Sequence, residues 1–84
     1  MTPDEIQDGL ESRGLLELAG DVALSHHVTL DETTGRRRTA QIVRARHATW
    51  RAIRDLGFSY PEIGSLWGVD QASVRHGVLK PPPR

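Results

Sequence analysis

Between residues 70 and 76 the chain reads DQASVRH, in which Gln71, Ala72, Ser73, Arg75 and His76 are small, hydrogen-bonding or basic. On a helix, side chains of these types can enter a DNA major groove and meet base edges. Gln is suited to adenine, and Arg to guanine or a phosphate. Asp70 is the acidic exception, and N-capping of the same helix explains it. A second basic feature is the run Arg36, Arg37, Arg38, with Arg44 and Arg46 a few residues on. Such a run is usually a solvated loop, yet Arg is also the preferred side chain in narrow minor grooves and bidentate phosphate contacts. A loop Arg in the minor groove beside a helix in the adjacent major groove is the docking logic of homeodomain arms.

Other chemistries find no support. There is no cysteine, which excludes disulfides, thiolate metal sites and cysteine nucleophiles. His26 and His27 are adjacent, so on a helix they diverge by about 100° and cannot share one metal. His47 and His76 have no companion at ligand spacing. Gly9 and Gly14 have the glycine spacing of a phosphate loop, but Leu15 and Leu16 stand where Lys and Ser or Thr are required. No Ser sits in a nucleophile-elbow context. The expectation is a protein that is not an enzyme and takes neither cofactor nor metal.

These residues must be positioned by helices. Ser59 and Glu62 form a capping box with Pro61 in the first turn, Ile63, Leu66 and Trp67 give an inner face, and Gly68 supplies a stop. Asp70 then caps a second helix with Val74 and Val78 facing inward. A short capped helix, a glycine-containing break and a second capped helix make the helix-turn-helix pattern. Upstream, Ile42, Val43, Ala45, Ala48, Trp50, Ala52, Ile53 and Leu56 predict the longest helix over 40–56, ended by Gly57. Ile6 and Leu10 after Pro3 predict a first helix, and Leu15 to Val28 a second. Residues 29–39 read as a loop with a short helical turn around Leu30 to Thr33. Trp50 and Trp67 read as core anchors rather than a base-stacking platform. The fold class is all-α, a small multi-helix bundle.

The 84 residues suffice for one modest core. Formal net charge is zero, but residues 1–35 hold eight acidic side chains and one basic, and residues 36–84 ten basic and three acidic. The halves therefore carry minus seven and plus seven. Steering depends on local patches rather than totals, so neutrality does not argue against a polyanionic partner. The acidic N-terminus lacks the basic segment and apolar run of a secretory signal. No stretch approaches the ~20 apolar residues that span a bilayer, which leads to the expectation of a cytoplasmic protein without membrane association.

From Val22 to Val78 the chain resembles the C-terminal DNA-binding domain of the bacterial replication initiator DnaA, in the Trp-repressor-like helix-turn-helix group. The likeness includes GRRRT, the RAR at 44–46 and SYPEIGSLWG against the family's Ser-Leu-Pro-Glu-Ile-Gly-x-x-Phe-Gly. VDQASVRHGV stands where the family has Arg-Asp-His-Thr-Thr-Val-x-His-Ala. The resemblance implies that Arg38 and its neighbours enter the minor groove. Arg46, His47, Tyr60 and Pro61 would lie near phosphates, with Asp70, Gln71, Ala72 and Ser73 facing the major groove. Val69, Gln71, Ala72 and Ser73 stand where the family has Arg, His, Thr and Thr, so its target site is not carried over.

The expected organisation is a single helical DNA-binding domain over 1–80, with an acidic N-terminal helical extension at 1–20, a helix-turn-helix core at 22–79 and a Pro-rich tail at 81–84. The expected function is a sequence-specific double-stranded DNA-binding transcription or replication regulator, bacterial or from a bacterial virus. The alternative is a protein-interaction module docking a basic partner on the acidic N-terminal helices, or a small DNA-binding subunit of a phage assembly.

Overall fold

Three Ser/Thr-x-x-Glu boxes start three of the helices, each satisfying two otherwise orphaned backbone N–H groups. Thr2 and Glu5 cap α1 (Pro3–Ser12), Thr29 and Glu32 cap α3 (Leu30–Thr34), and Ser59 and Glu62 cap α5 (Tyr60–Trp67). The Thr2 and Ser59 backbone N–H groups hold the Glu5 and Glu62 carboxyls below their ordinary range. The other helices are α2 (Leu16–Ser25), α4 (Ala40–Asp55) and α6 (Gln71–Leu79). The computed structural model describes residues 1–80, and among them there is no strand. The expected Pro-rich tail, 81–84, lies outside the described residues. No helix among them is long and apolar enough to cross a membrane.

The core is one cluster of Ile6, Leu10, Leu15, Ala19, Trp50, Ile53, Ile63, Leu66, Trp67 and Val74. Full burial of a side chain such as Leu10, Ile53 or Ile63 stabilises by roughly 1.5–3 kcal/mol each. Trp50 and Trp67 meet edge to face with centroids 6.0 Å apart, worth about 0.5–1.5 kcal/mol beyond their burial. Both are core anchors, as their spacing predicts. Packing is centred on α4, which touches α2, α3, α5 and α6, while α1 packs on α2, α3 and α5. The acidic first segment is thus part of the core: Ile6 and Leu10 are as buried as the residues of α4.

The helix over 15–28 ends earlier than its periodicity suggests, because α2 closes in a Schellman turn. Val28 N–H donates to the Ala23 carbonyl at 3.0 Å and His27 N–H to Leu24 at 3.0 Å. This places His27 at φ 59°, in the left-handed region where an L side chain is strained. The segment 29–39, expected as a loop with a short helical turn around Leu30 to Thr33, holds that turn as α3, one residue longer than expected.

Two glycines make the junction of α5 and α6 tight. Gly68 ends α5 at φ 69°, and the turn closes in three residues, Gly68, Val69 and Asp70. Gly64 lies beneath it: a Cβ there would stand 2.7 Å from the Val69 carbonyl oxygen. The turn therefore rests directly on the backbone of α5.

Candidate nucleic-acid interface

On α6 the burial pattern decides which side chains face outward. Val74 and Gly77 are buried, and Gln71, Ala72, Ser73, Arg75 and His76 are exposed. Asp70 caps the helix, its carboxylate accepting from Ala72 N–H at 3.3 Å. At the other end Arg51 of α4 donates to the Val78 and Lys80 carbonyls at 3.3 and 3.2 Å. The absence of a Cβ at Gly77 admits the His47 ring, whose Cδ2 would lie 2.6 Å from one. α6 is thus clamped against α4 at its buried edge and bare along its polar one.

Arg36, Arg37 and Arg38 lie exposed between α3 and α4. Among the described residues the one ion pair is Arg13–Glu62, 3.5 Å apart and about half exposed. No carboxylate among them therefore lies within 4 Å of the guanidinium groups of Arg36, Arg37, Arg38, Arg44 or Arg75. The Arg13 pair itself contributes only about 0–1 kcal/mol.

A cleft of about 810 Å³ separates the arginine loop from α6. Its lining takes Arg36 and Arg38 from the loop, Arg46 and His47 from α4, and Ala72, Ser73 and His76 from α6, with Ile6, Val43, Trp50 and Trp67 as apolar members. No Asp or Glu lines it. A second depression, about 740 Å³, runs along the other flank of α6 past Tyr60, Asp70, Gln71, Arg75 and Lys80. Between them the two recesses border all but three of the residues singled out from the sequence. The exceptions are Arg37, Arg44 and Pro61, which are exposed but line neither. Arg44 turns its Nε back to the Ala40 carbonyl, 3.2 Å away.

Three of the side chains expected near phosphates make contacts within the protein. Arg46, expected beside a phosphate, turns inward: Nε donates to the Thr33 carbonyl at 2.9 Å, and Nη2 to Gly35 and Arg37 at 3.0 and 3.1 Å. Burial, then the nearby Arg38, lowers its pKa. His47 stacks at 5.4 Å on Trp50. Burial comes first in lowering its pKa, followed by Lys80, Arg46, His76 and Arg51, so the imidazole is neutral at pH 7. Tyr60 lies under the Arg54 guanidinium, 5.0 Å from its ring centroid.

Arg51, Arg54 and Lys80 were not singled out by sequence, yet Lys80 borders the second depression and the two arginines brace α6 and the approach to α5. Arg54 holds the Phe58 carbonyl at 3.3 Å and so fixes the approach to α5. A signal for Arg46 was present: it lies four residues after Ile42 and four before Trp50, on the buried stripe of its helix. Among the described residues no group of three or more His, Cys, Asp or Glu could hold a metal ion. Compared with protein-family models, curated proteins and solved structures, the chain has no match.

Proposed function

We propose that this chain is a sequence-specific double-stranded DNA-binding protein acting as a transcription or replication regulator. In this reading α5 and α6 form a helix-turn-helix, α6 enters the major groove, and the Arg36–Arg38 loop reaches the adjacent minor groove. The observation that carries it is the cleft. An exposed arginine loop and the polar edge of a helix border one recess that holds Arg36, Arg38 and Arg46 and no carboxylate, in a chain of zero net charge. No acidic residue lines that cleft, and Asp4, Glu5, Asp8 and Glu11 are exposed on α1. A helix about 10–12 Å across with its side chains fits a major groove about 12 Å wide, and α6 presents its polar edge to solvent. The sequence resemblance to the DnaA C-terminal domain points the same way.

Within this reading Gln71 and Arg75 meet base edges, and Arg36, Arg37 and Arg38 supply phosphate and minor-groove contacts. The experiment is a mobility-shift titration with random duplex at about 50 and 200 mM salt, followed by selection of bound sequences. Binding at the lower salt that weakens at the higher, with enrichment of a sequence, is the expected result. No binding at the lower salt sinks the reading. It would favour the interaction module, for which the exposed carboxylates of α1 are the supporting feature.

A further inference from the structure

The carbonyl oxygen of Thr33, in the last turn of α3, is shared by two other helices. Arg46 Nε of α4 reaches it at 2.9 Å in a part-buried bond, and Trp67 Nε1 of α5 at 3.2 Å in a buried one. From there the guanidinium continues along the chain, taking the Gly35 and Arg37 carbonyls with Nη2. One side chain thereby fixes the backbone from 33 to 37, which carries Arg36 and Arg37 and leads into Arg38. Trp67 is the last residue of α5, immediately before the turn that launches α6. The loop and α6 are therefore tied to the same atom from opposite sides of the cleft.

We infer that the Arg46 guanidinium and the Trp67 indole N–H, meeting on the Thr33 carbonyl, are positioning groups that set the distance between the arginine loop and α6. The inference rests on the proposed DNA-binding reading, and it gives that reading a property of its own. A fixed distance fixes how many base pairs separate the minor-groove contact from the major-groove contact. Arg46 then acts through the loop rather than as a phosphate ligand. A planar fork with several donors in fixed directions has no equivalent in Lys, which offers one mobile ammonium. Phe in place of Trp67 keeps an aromatic ring in the core but removes the donor.

The test uses the whole chain, as wild type, Arg46→Lys and Trp67→Phe, each checked for native helicity by circular dichroism. Affinity is measured against a series of duplexes in which an A·T-rich step is moved one base pair at a time relative to the selected major-groove site. The wild type is expected to lose about tenfold for a one-pair shift, of the order of a single mismatched pair. Either folded variant is expected to lose less than about threefold. Folded variants that keep the tenfold preference, or a wild type that binds without any preference, would overturn the inference. A second measurement needs no variant: backbone ¹⁵N order parameters at residues 35–38 of the free wild type. Values near 0.85 are expected, and values below about 0.6 contradict a positioned loop. If the wild type binds no duplex, the DNA reading fails, while the order parameters still report whether the loop is held.

Discussion

Alanine substitution of glycine within a helix ordinarily stabilises, by about 1 kcal/mol, because Gly loses more backbone entropy on folding. In this chain the sign should depend on what the new methyl meets. At Gly20, in α2, an added Cβ has no atom within 4 Å. Gly20→Ala should therefore yield most of the propensity gain, about 0.5–1 kcal/mol, a rise in Tm of roughly 2–8 °C for a domain of this size. At Gly64 the Cβ would stand 2.7 Å from the Val69 carbonyl oxygen and 3.4 Å from Gln71 N. Those are backbone atoms of the turn, so relief requires α6 to move by several tenths of an ångström. Overpacking costs about 1–3 kcal/mol, and a backbone obstacle puts this site in the upper half of that range. Less the propensity gain, Gly64→Ala should destabilise by about 1–2 kcal/mol. Urea unfolding followed by circular dichroism reads both, with midpoints moving in opposite directions at an unchanged slope. A Gly64→Ala protein as stable as the wild type would refute the tight turn, and a destabilised Gly20→Ala protein the open-space argument.

Strain at His27 supports a second stability prediction: with φ at 59°, His27→Gly should stabilise by about 1 kcal/mol, measured as a shift in urea midpoint. The His47 imidazole, lowered by burial and by the cations Lys80, Arg46, His76 and Arg51, makes stability pH-dependent. Its folded pKa is below the unfolded value of about 6.5, so between the two the unfolded chain binds more protons and stability falls as pH falls. His47→Gln should flatten that slope, and an unchanged slope would assign it to other groups. Alanine at Gln71 or Arg75 should cost about 1–3 kcal/mol of affinity for a selected site and relax preference at one base position, read by repeating the selection.

Most helices were legible because their signals are local. Ile42, Trp50 and Ile53 mark the inner face of α4, and Ser59, Pro61, Glu62 and Gly68 bracket α5 within ten residues. α3 left no periodic trace, since five residues are less than two turns, and its only mark is the Thr29–Glu32 box. The place of α1 in the core was not readable, because Ile6 and Leu10 state that a face is apolar without stating what covers it. The polar edge of α6 follows from Val74 alone once the helix is drawn. The inward side of Arg46 is marked by its place between Ile42 and Trp50, but its acceptors at Thr33, Gly35 and Arg37 are not, because they come within reach only when α3 packs on α4. The charge asymmetry of the sequence likewise acquires meaning only when the cleft gathers Arg36, Arg38 and Arg46 opposite α6.

The most direct measurement is an NMR titration of ¹⁵N-labelled protein with duplex DNA at low salt. Amide shifts should change at residues 36–38 and 70–76, on the two sides of the cleft, with α1 unaffected. Changes centred on Asp4 to Glu11, or no change at any residue as duplex is added, would contradict the account.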